Sequence, residues 1–159
     1  MTEEELMRAA IALAREAAMD DEVPVGCVIY DGTRIVGRGR NRREGAKNAL
    51  AHAEIEAIAD ACKTLGGWRL WQCTLYVTLE PCPMCAGAII NARLKRVVYG
   101  AADPKAGSCD SVTRLFELPY NHRPALSSGL LAGECSAILR DFFRTKRENP
   151  VEKHWKKPE

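Results

Sequence analysis

The sequence lacks the long apolar run that a membrane-spanning helix needs. None of its apolar stretches approaches the length of about eighteen residues that a span requires. The N-terminus is acidic, so it does not match a secretory signal peptide, in which a basic region precedes an apolar one. These absences predict a cytoplasmic protein without a membrane partner.

The sequence also lacks a disulfide framework and a large net charge. Its seven cysteines are odd in number and scattered through apolar segments, which is atypical of a disulfide scaffold. Only Cys82 and Cys85 have metal-ligand spacing, and the other five are predicted to be small buried residues. The net charge is +2, but basic residues concentrate in residues 34–47 and 140–159. Two basic patches favour a localised anionic partner, with solvated surface as the equal alternative.

No internal repeat, linker or domain boundary divides the 159 residues. A chain of this length suits one domain with a full hydrophobic core. We therefore predict a single domain over residues 1–148 and a short basic C-terminal tail over residues 149–159.

Hydrophobic periodicity predicts alternating helices and strands. A capping-box pattern at Thr2 and Glu5 begins a helix over residues 3–19. Asp31-Gly32 predicts a two-residue hairpin between strands 23–30 and 33–40, and the arginines of the second strand indicate a sheet edge. The next predicted helix begins at Ala51 and is stopped by Gly66-Gly67, with a buried stripe of Ile55, Ile58, Cys62 and Leu65. The remaining predicted elements are a strand over 75–79, a helix over 83–93, a strand over 96–100, a short helical piece over 112–117, a strand near 125–128 and a final helix whose stripe runs from Leu131 to Phe142.

The motif H-x-E at 52–54 supplies an imidazole and a carboxylate at the start of the second long helix. The spacing to the apolar residues that follow predicts that His52 and Glu54 both face the buried side. An ionised carboxylate that faces the interior is costly unless something compensates it. Taken alone, the triplet favours an ordinary core histidine and a helix-start charge.

The motif PCPMC at 81–85 changes that interpretation. Pro83 fits the first helical position, so Cys82 lies near the cap and Cys85 lies one turn on, with both thiols on one face. Both motifs follow a strand, so their helix N-termini should meet at the same edge of the sheet. His52, Cys82 and Cys85 therefore predict a zinc site.

A hydrolytic zinc site keeps its fourth position open for water. Two thiolates and a neutral imidazole leave the zinc complex formally neutral, and zinc lowers the pKa of its water to about 7. Such a site suits hydrolytic deamination of an amine on a ring. Glu54 would accept the proton of this water nucleophile and return it to the ring nitrogen of the substrate and to the amine that leaves. A structural zinc site would be closed by a fourth ligand, and Cys109 stays open as a candidate for that role.

With these motifs, the sequence resembles the cytidine-deaminase-like superfamily and, within it, the bacterial tRNA-specific adenosine deaminases, which make wobble inosine. An H-x-E motif followed by P-C-x-x-C is typical of zinc deaminases. The resemblance runs from about Leu6 to Arg147. The segments that carry it are EVPVG at 22–26, NR at 41–42, AHAEI at 51–55, TLYVTLEPC at 74–82, MCAGA at 84–88, RVVYG at 96–100, NHR at 121–123 and DFFR at 141–144.

The resemblance implies a three-layer α/β/α cytidine-deaminase-like fold with a mixed five-stranded sheet, a homodimer, and one Zn²⁺ per subunit on His52, Cys82 and Cys85. It implies that Glu54 is the proton shuttle in the hydrolytic conversion of adenosine to inosine in a tRNA anticodon stem-loop, a reaction at a C–N bond of a cyclic amidine. The residues it assigns to the substrate are Asn41 and the backbone of Ala53, which hold the flipped base, and Asp103, Lys105, Asn121, His122 and Arg144, which lie near the anticodon loop. The basic segments agree, because they can neutralise RNA phosphates.

Two loops depart from the family pattern. Asn48-Ala49-Leu50 replaces the usual Asp-Pro-Thr before His52, and Cys109 and Asp110 stand where small residues are usual. Both loops border the expected substrate path, so a deaminase of a free guanine-, cytosine- or adenosine-type compound is the alternative function. A non-catalytic zinc protein that binds RNA is a second alternative, against which the inward-facing Glu54 argues.

Overall fold

The computed structural model describes residues 1–148, and the predicted tail over 149–159 lies outside the described residues. Helices and strands alternate along the chain as the periodicity predicts. The helices are α1 (Glu3–Met19), α2 (Ala53–Leu65), α3 (Pro83–Asn91) and α4 (Ala132–Glu148), and a short 3₁₀ helix covers Leu115–Glu117. The strands are β1 (Gly26–Tyr30), β2 (Ile35–Arg40), β3 (Thr74–Leu79), β4 (Arg96–Ala101) and β5 (Ala125–Ser128).

The five strands form one mixed sheet in the order β2-β1-β3-β4-β5. β1 pairs antiparallel with β2 and β3, whereas β3, β4 and β5 run parallel. Parallel pairing of β3 with β4 requires a crossover, which α3 supplies. Alternate residues of β3 point to opposite faces, so Leu75 and Val77 pack with α2 and α3 while Tyr76 packs with α1 and α4. The prediction of a three-layer α/β/α fold is therefore confirmed.

The predicted first helix is confirmed together with its capping box. The backbone N–H of Glu5 donates to the Thr2 hydroxyl at 3.1 Å, and the backbone N–H of Thr2 donates to the Glu5 carboxylate at 2.9 Å. These reciprocal bonds satisfy two donors that a helix start would leave unpaired.

The predicted two-residue hairpin is wrong. The register pairs Tyr30 with Ile35, so four residues connect the strands and β2 begins two residues later than predicted. The Asp31 carboxylate accepts hydrogen bonds from the backbone N–H groups of Thr33 and Arg34, both at 2.9 Å. Those amides are therefore turned into the loop and away from the ladder.

The predicted buried stripe of α2 is also wrong. The helix buries Ala53, Glu54, Ala57 and Ala61, while Leu65 is 42% exposed and the other three predicted residues, Ile55, Ile58 and Cys62, are only half-buried. The cause is the close approach of α2 to Gly37 and Gly39 on β2. Only small side chains fit between elements whose backbones lie so close together.

Replacing Gly39 with alanine is expected to lower the free energy of unfolding by about 1–3 kcal/mol, the usual cost of overpacking. A Cβ at this position would lie 2.6 Å from the Ala57 nitrogen and would also meet the Ala53 carbonyl oxygen. Urea denaturation measures the change. Gly67→Ala is the matched control, because a Cβ at Gly67 meets no atom within 4 Å. Equal midpoints for both variants would contradict the packing argument.

The C-terminal third agrees with the sequence pattern in part. Only residues 115–117 of the predicted helical piece are helical, while β5 and the final helix are present as predicted. All seven cysteines are free, as predicted, and of the five without ligand spacing only Cys62 is not fully buried. No helix within residues 1–148 is long and apolar enough to cross a membrane.

Candidate active site

The N-termini of α2 and α3 bring the two predicted motifs together beside the carboxyl ends of β2 and β3. His52 is the N-cap residue of α2, and Cys82 is the N-cap residue of α3 with Pro83 directly after it. His52 Nδ1 lies 3.6 Å from Cys82 Sγ and 3.5 Å from Cys85 Sγ. The three candidate ligand atoms all lie within 4.8 Å of one another.

This spacing fits a tetrahedral zinc ion. Zinc–sulfur and zinc–nitrogen bonds of about 2.3 Å and 2.0–2.1 Å at a tetrahedral angle separate the sulfur and nitrogen atoms by about 3.5 Å. Both measured separations from His52 match that value. Thiolate and imidazole are also the donors that zinc prefers.

Within residues 1–148, this is the only group of three or more histidine, cysteine or acidic side chains close enough to hold a metal ion. Cys109, the candidate for a fourth ligand, is buried but lies outside the group. Three protein ligands leave one coordination position for water or substrate, which is typical of a catalytic zinc site and not of a closed structural one.

The two thiols have opposite pKa shifts. A hydrogen bond from Cys85 and the neighbouring His52 lower the pKa of Cys82 to about 4, against the effect of burial. The hydrogen bond to Cys82 and burial raise the pKa of Cys85. The hydrogen bond to Cys82 also raises the pKa of His52. The two thiols thus share one proton, and a bound cation would displace this proton.

Glu54 lies in the first turn of α2 and is only 4% exposed, in agreement with the prediction that it faces the buried side of the helix. Burial raises the pKa of its carboxyl group to about 7. A carboxyl group with such a pKa both accepts and donates protons near neutral pH. It lies within hydrogen-bond reach of the Cys85 thiol, so a carboxyl group that can exchange protons lies next to a candidate metal ligand.

Two of the predicted base-binding groups lie beside this cluster. Ala53 is the first residue of α2, where the backbone N–H has no acceptor within the helix. Asn41 follows β2, and its side-chain amide donates to the Val23 carbonyl oxygen at 3.1 Å while its oxygen accepts from the Arg43 N–H. The Asn41 side chain is therefore held in a fixed orientation.

The predicted anticodon contacts are distributed more widely. Asp103 and Lys105 lie in the loop that follows β4, where the Asp103 carboxylate accepts the Lys105 N–H at 3.0 Å. His122 contacts the Leu94 carbonyl oxygen at 2.6 Å, next to the start of β4 and away from the strand ends beside which the candidate metal ligands lie. Arg144 is exposed on α4 and forms an ion pair with Asp141.

Asn121 directly precedes His122 and is exposed. Within one chain, the structure therefore does not bring Asn121, His122 and Arg144 to the zinc cluster. Their contact with RNA stays a prediction.

Two buried carboxylates that anchor loops beside the site had no role in the sequence interpretation. Glu22 accepts the backbone N–H groups of Glu44 and Gly45 at 2.8 and 3.0 Å. Glu80 is 2% exposed and accepts five hydrogen bonds from the loop after β4. Burial opposes ionisation of Glu80, but these bonds outweigh it and lower the pKa of its carboxyl group. The available signal was a charge placed directly between a buried strand and Pro81-Cys82.

Comparison with known proteins shows that the chain is similar to deaminases. Residues 1–147 match the MafB19-like deaminase family. The tRNA-specific adenosine deaminase of Bacillus subtilis strain 168 is 47% identical over 150 residues, which cover 93% of each chain.

Solved structures agree with the sequence matches. A structure from studies of A-to-I editing by tRNA:A34 deaminases at the wobble position of transfer RNA is 46% identical, with a TM-score of 0.83, and covers 85% of this chain and 99% of its own. A guanine deaminase structure from Bacillus subtilis is 32% identical, with a TM-score of 0.63, and covers 97% and 99%. The chain therefore belongs to the MafB19-like deaminase family and to the family of the bacterial tRNA-specific adenosine deaminases.

Proposed function

We propose that this chain is a zinc-dependent hydrolase that converts adenosine to inosine at the wobble position of a tRNA anticodon loop. The observation that carries the proposal is the His52, Cys82 and Cys85 cluster with the buried Glu54 beside it. The similarity to tRNA-specific adenosine deaminases supports the choice of substrate.

The proposed reaction divides the work between the metal and the protein. His52, Cys82 and Cys85 would hold the zinc ion, which would act as a Lewis acid and lower the pKa of water to about 7. The Glu54 carboxylate accepts the proton of the attacking water. It delivers that proton to the purine ring nitrogen. It then takes the second proton from the hydroxyl added at C6 and gives it to the amino group, which leaves as ammonia when the C6–N bond breaks.

The substrate base must leave its stack to reach a carboxylate that is this deeply buried. In the proposal, the Ala53 backbone and Asn41 hold the flipped adenine. Asp103, Lys105, Asn121, His122 and Arg144 contact the nucleotides around it, and the basic residues of segment 34–47 neutralise phosphates.

The proposal includes an assembly and a location. We infer a homodimer with one zinc ion per subunit, a catalytic domain over residues 1–148 with a short tail over 149–159, and a cytoplasmic site of action where tRNA is available. Light scattering tests the dimer, and a stable active monomer would contradict it.

The alternative function is deamination of a free nucleobase or nucleoside on the same fold. The similarity to a guanine deaminase favours it, although that match has the lower identity and TM-score. The two functions differ in salt dependence. Activity on RNA should fall as salt rises because phosphate contacts release counterions, whereas activity on a neutral base should stay nearly constant.

An anticodon stem-loop with adenosine at the wobble position is expected to yield inosine at that position. Nucleoside mass spectrometry of the digested RNA measures it, and a stem-loop with guanosine in place of that adenosine is the control. The rate should fall several-fold or more as salt rises from about 50 to 200 mM, with the exact loss set by the number of phosphates contacted. If the zinc-loaded protein formed no inosine in this RNA, the proposed function would be contradicted.

A further inference from the structure

The loop over residues 103–111 is held by a single buried carboxylate. Glu80 Oε1 accepts the backbone N–H of Asp103 at 3.1 Å and the Ser111 hydroxyl at 2.5 Å. Glu80 Oε2 accepts the backbone N–H groups of Cys109, Asp110 and Ser111 at 3.2, 2.9 and 2.9 Å. Both ends of the loop are therefore fastened to one side chain.

The loop packs tightly around this carboxylate. A Cβ at Gly107 would collide with the carboxyl group of Glu80, so no larger residue fits at this position without displacing one of them. The Ser108 N–H donates to the Pro81 carbonyl oxygen at 2.8 Å, and the Tyr99 hydroxyl donates to the Asp110 carboxylate. The loop is thus tied to the residues that directly precede the zinc ligand Cys82.

The same loop carries two of the proposed RNA contacts and the departures from the family pattern. Asp103 and Lys105 are the proposed contacts, and Cys109 and Asp110 are the departures. Among the ion pairs of residues 1–148, none includes Glu80, so its charge is compensated by the loop's hydrogen bonds and not by a cation. A buried charge satisfied in this way specifies one conformation of the segment that satisfies it.

We propose that Glu80 is a positioning residue that sets the conformation of the 103–111 loop and thereby the affinity for the RNA substrate. The inference about affinity rests on the proposed function, because it requires Asp103 and Lys105 to contact RNA. The inference about loop conformation does not depend on it.

Glu80→Gln tests both parts in the full-length, zinc-loaded protein. The amide nitrogen of glutamine cannot accept a hydrogen bond, so one set of loop donors loses its acceptor. Hydrogen–deuterium exchange in residues 103–111 should rise about tenfold or more, with β3 and α3 unchanged. KM for the stem-loop should rise about tenfold while kcat changes less and zinc content stays at the wild-type value.

Glu22→Gln is the matched control, because Glu22 is likewise buried and accepts backbone N–H groups, but from residues 44 and 45. In this variant, hydrogen–deuterium exchange should rise near residues 44 and 45 and not in the 103–111 loop. Gly107→Ala is a second variant that disturbs the same contact from the loop side, should Glu80→Gln fail to fold. It should reproduce the localised exchange.

The outcomes separate the two proposals. Unchanged exchange in the loop, or exchange that rises equally across β3 and α3, would overturn the positioning role. Faster loop exchange with an unchanged KM for RNA would overturn the effect on affinity. A wild-type protein that forms no inosine would refute the proposed function, and the exchange measurement would still decide whether Glu80 positions the loop.

Discussion

Replacing Glu54 with glutamine is expected to lower kcat by about 10²–10⁴-fold, the usual contribution of a general acid–base group. Glutamine has nearly the same shape, but its amide cannot carry a proton from water to the substrate. The zinc ligands are separate side chains, so the variant should keep its zinc. Single-turnover kinetics on the stem-loop and metal analysis of the same sample measure both quantities.

Asp60→Asn is the matched control for this variant. Asp60 lies on the same helix and accepts the Arg38 N–H at 2.9 Å on the outer side of the sheet edge. Its replacement should leave turnover within a few-fold of the wild type. Full turnover by Glu54→Gln would contradict the proton shuttle. RNA function that needs no turnover and is unchanged in Glu54→Gln would favour a non-catalytic protein that binds RNA.

Replacing Cys85 with alanine is expected to remove zinc and, with it, turnover. The loss should exceed the 10- to 100-fold cost that is typical of changing a group outside the ligand set. The buried thiol supplies one of only three donor atoms in the cluster. Metal analysis after gel filtration and a kinetic assay with and without added zinc measure the effect.

Cys109→Ala is the control that distinguishes an open site from a closed one. Cys109 lies outside the ligand cluster, so this variant should retain zinc at the wild-type stoichiometry. Loss of zinc from Cys109→Ala would mean that this thiol closes the site, and the catalytic interpretation would then fail.

The candidate metal cluster could be predicted from sequence because each half of it is local. The H-x-E triplet fixes His52 and Glu54 at one helix start, and Pro83 fixes Cys82 and Cys85 at another. A strand precedes each helix, so only the sheet topology was needed to bring the halves together. The structure brings the candidate ligand atoms of the two halves within 4.8 Å of one another.

The packing of α2 could not be read from its own residues. Apolar periodicity favours Ile55, Ile58 and Leu65. The helix instead buries three of its alanines, because two glycines on a different element set the distance between the backbones. The signal was Gly37 and Gly39 on one face of β2, which indicates close approach of another backbone.

The role of Glu80 was hidden for a different reason. Its partners are mostly backbone N–H groups that lie 23 to 31 residues further along the chain, and backbone groups leave no pattern in a sequence. The start of β2 was mispredicted for a similar reason. The Asp31 carboxylate accepts the backbone N–H groups of Thr33 and Arg34, so the strand begins after these residues. Loop conformation therefore required the structure, and the loops border the proposed path of the substrate.

The most direct test of the proposed function compares kcat/KM for the anticodon stem-loop with kcat/KM for free guanine, cytosine and adenosine, all with the zinc-loaded protein. We predict inosine at the wobble position of the RNA and a far lower kcat/KM for every free compound. Ammonia release from a free base or nucleoside, without inosine in the RNA, would contradict the proposal and identify the chain as a small-molecule deaminase.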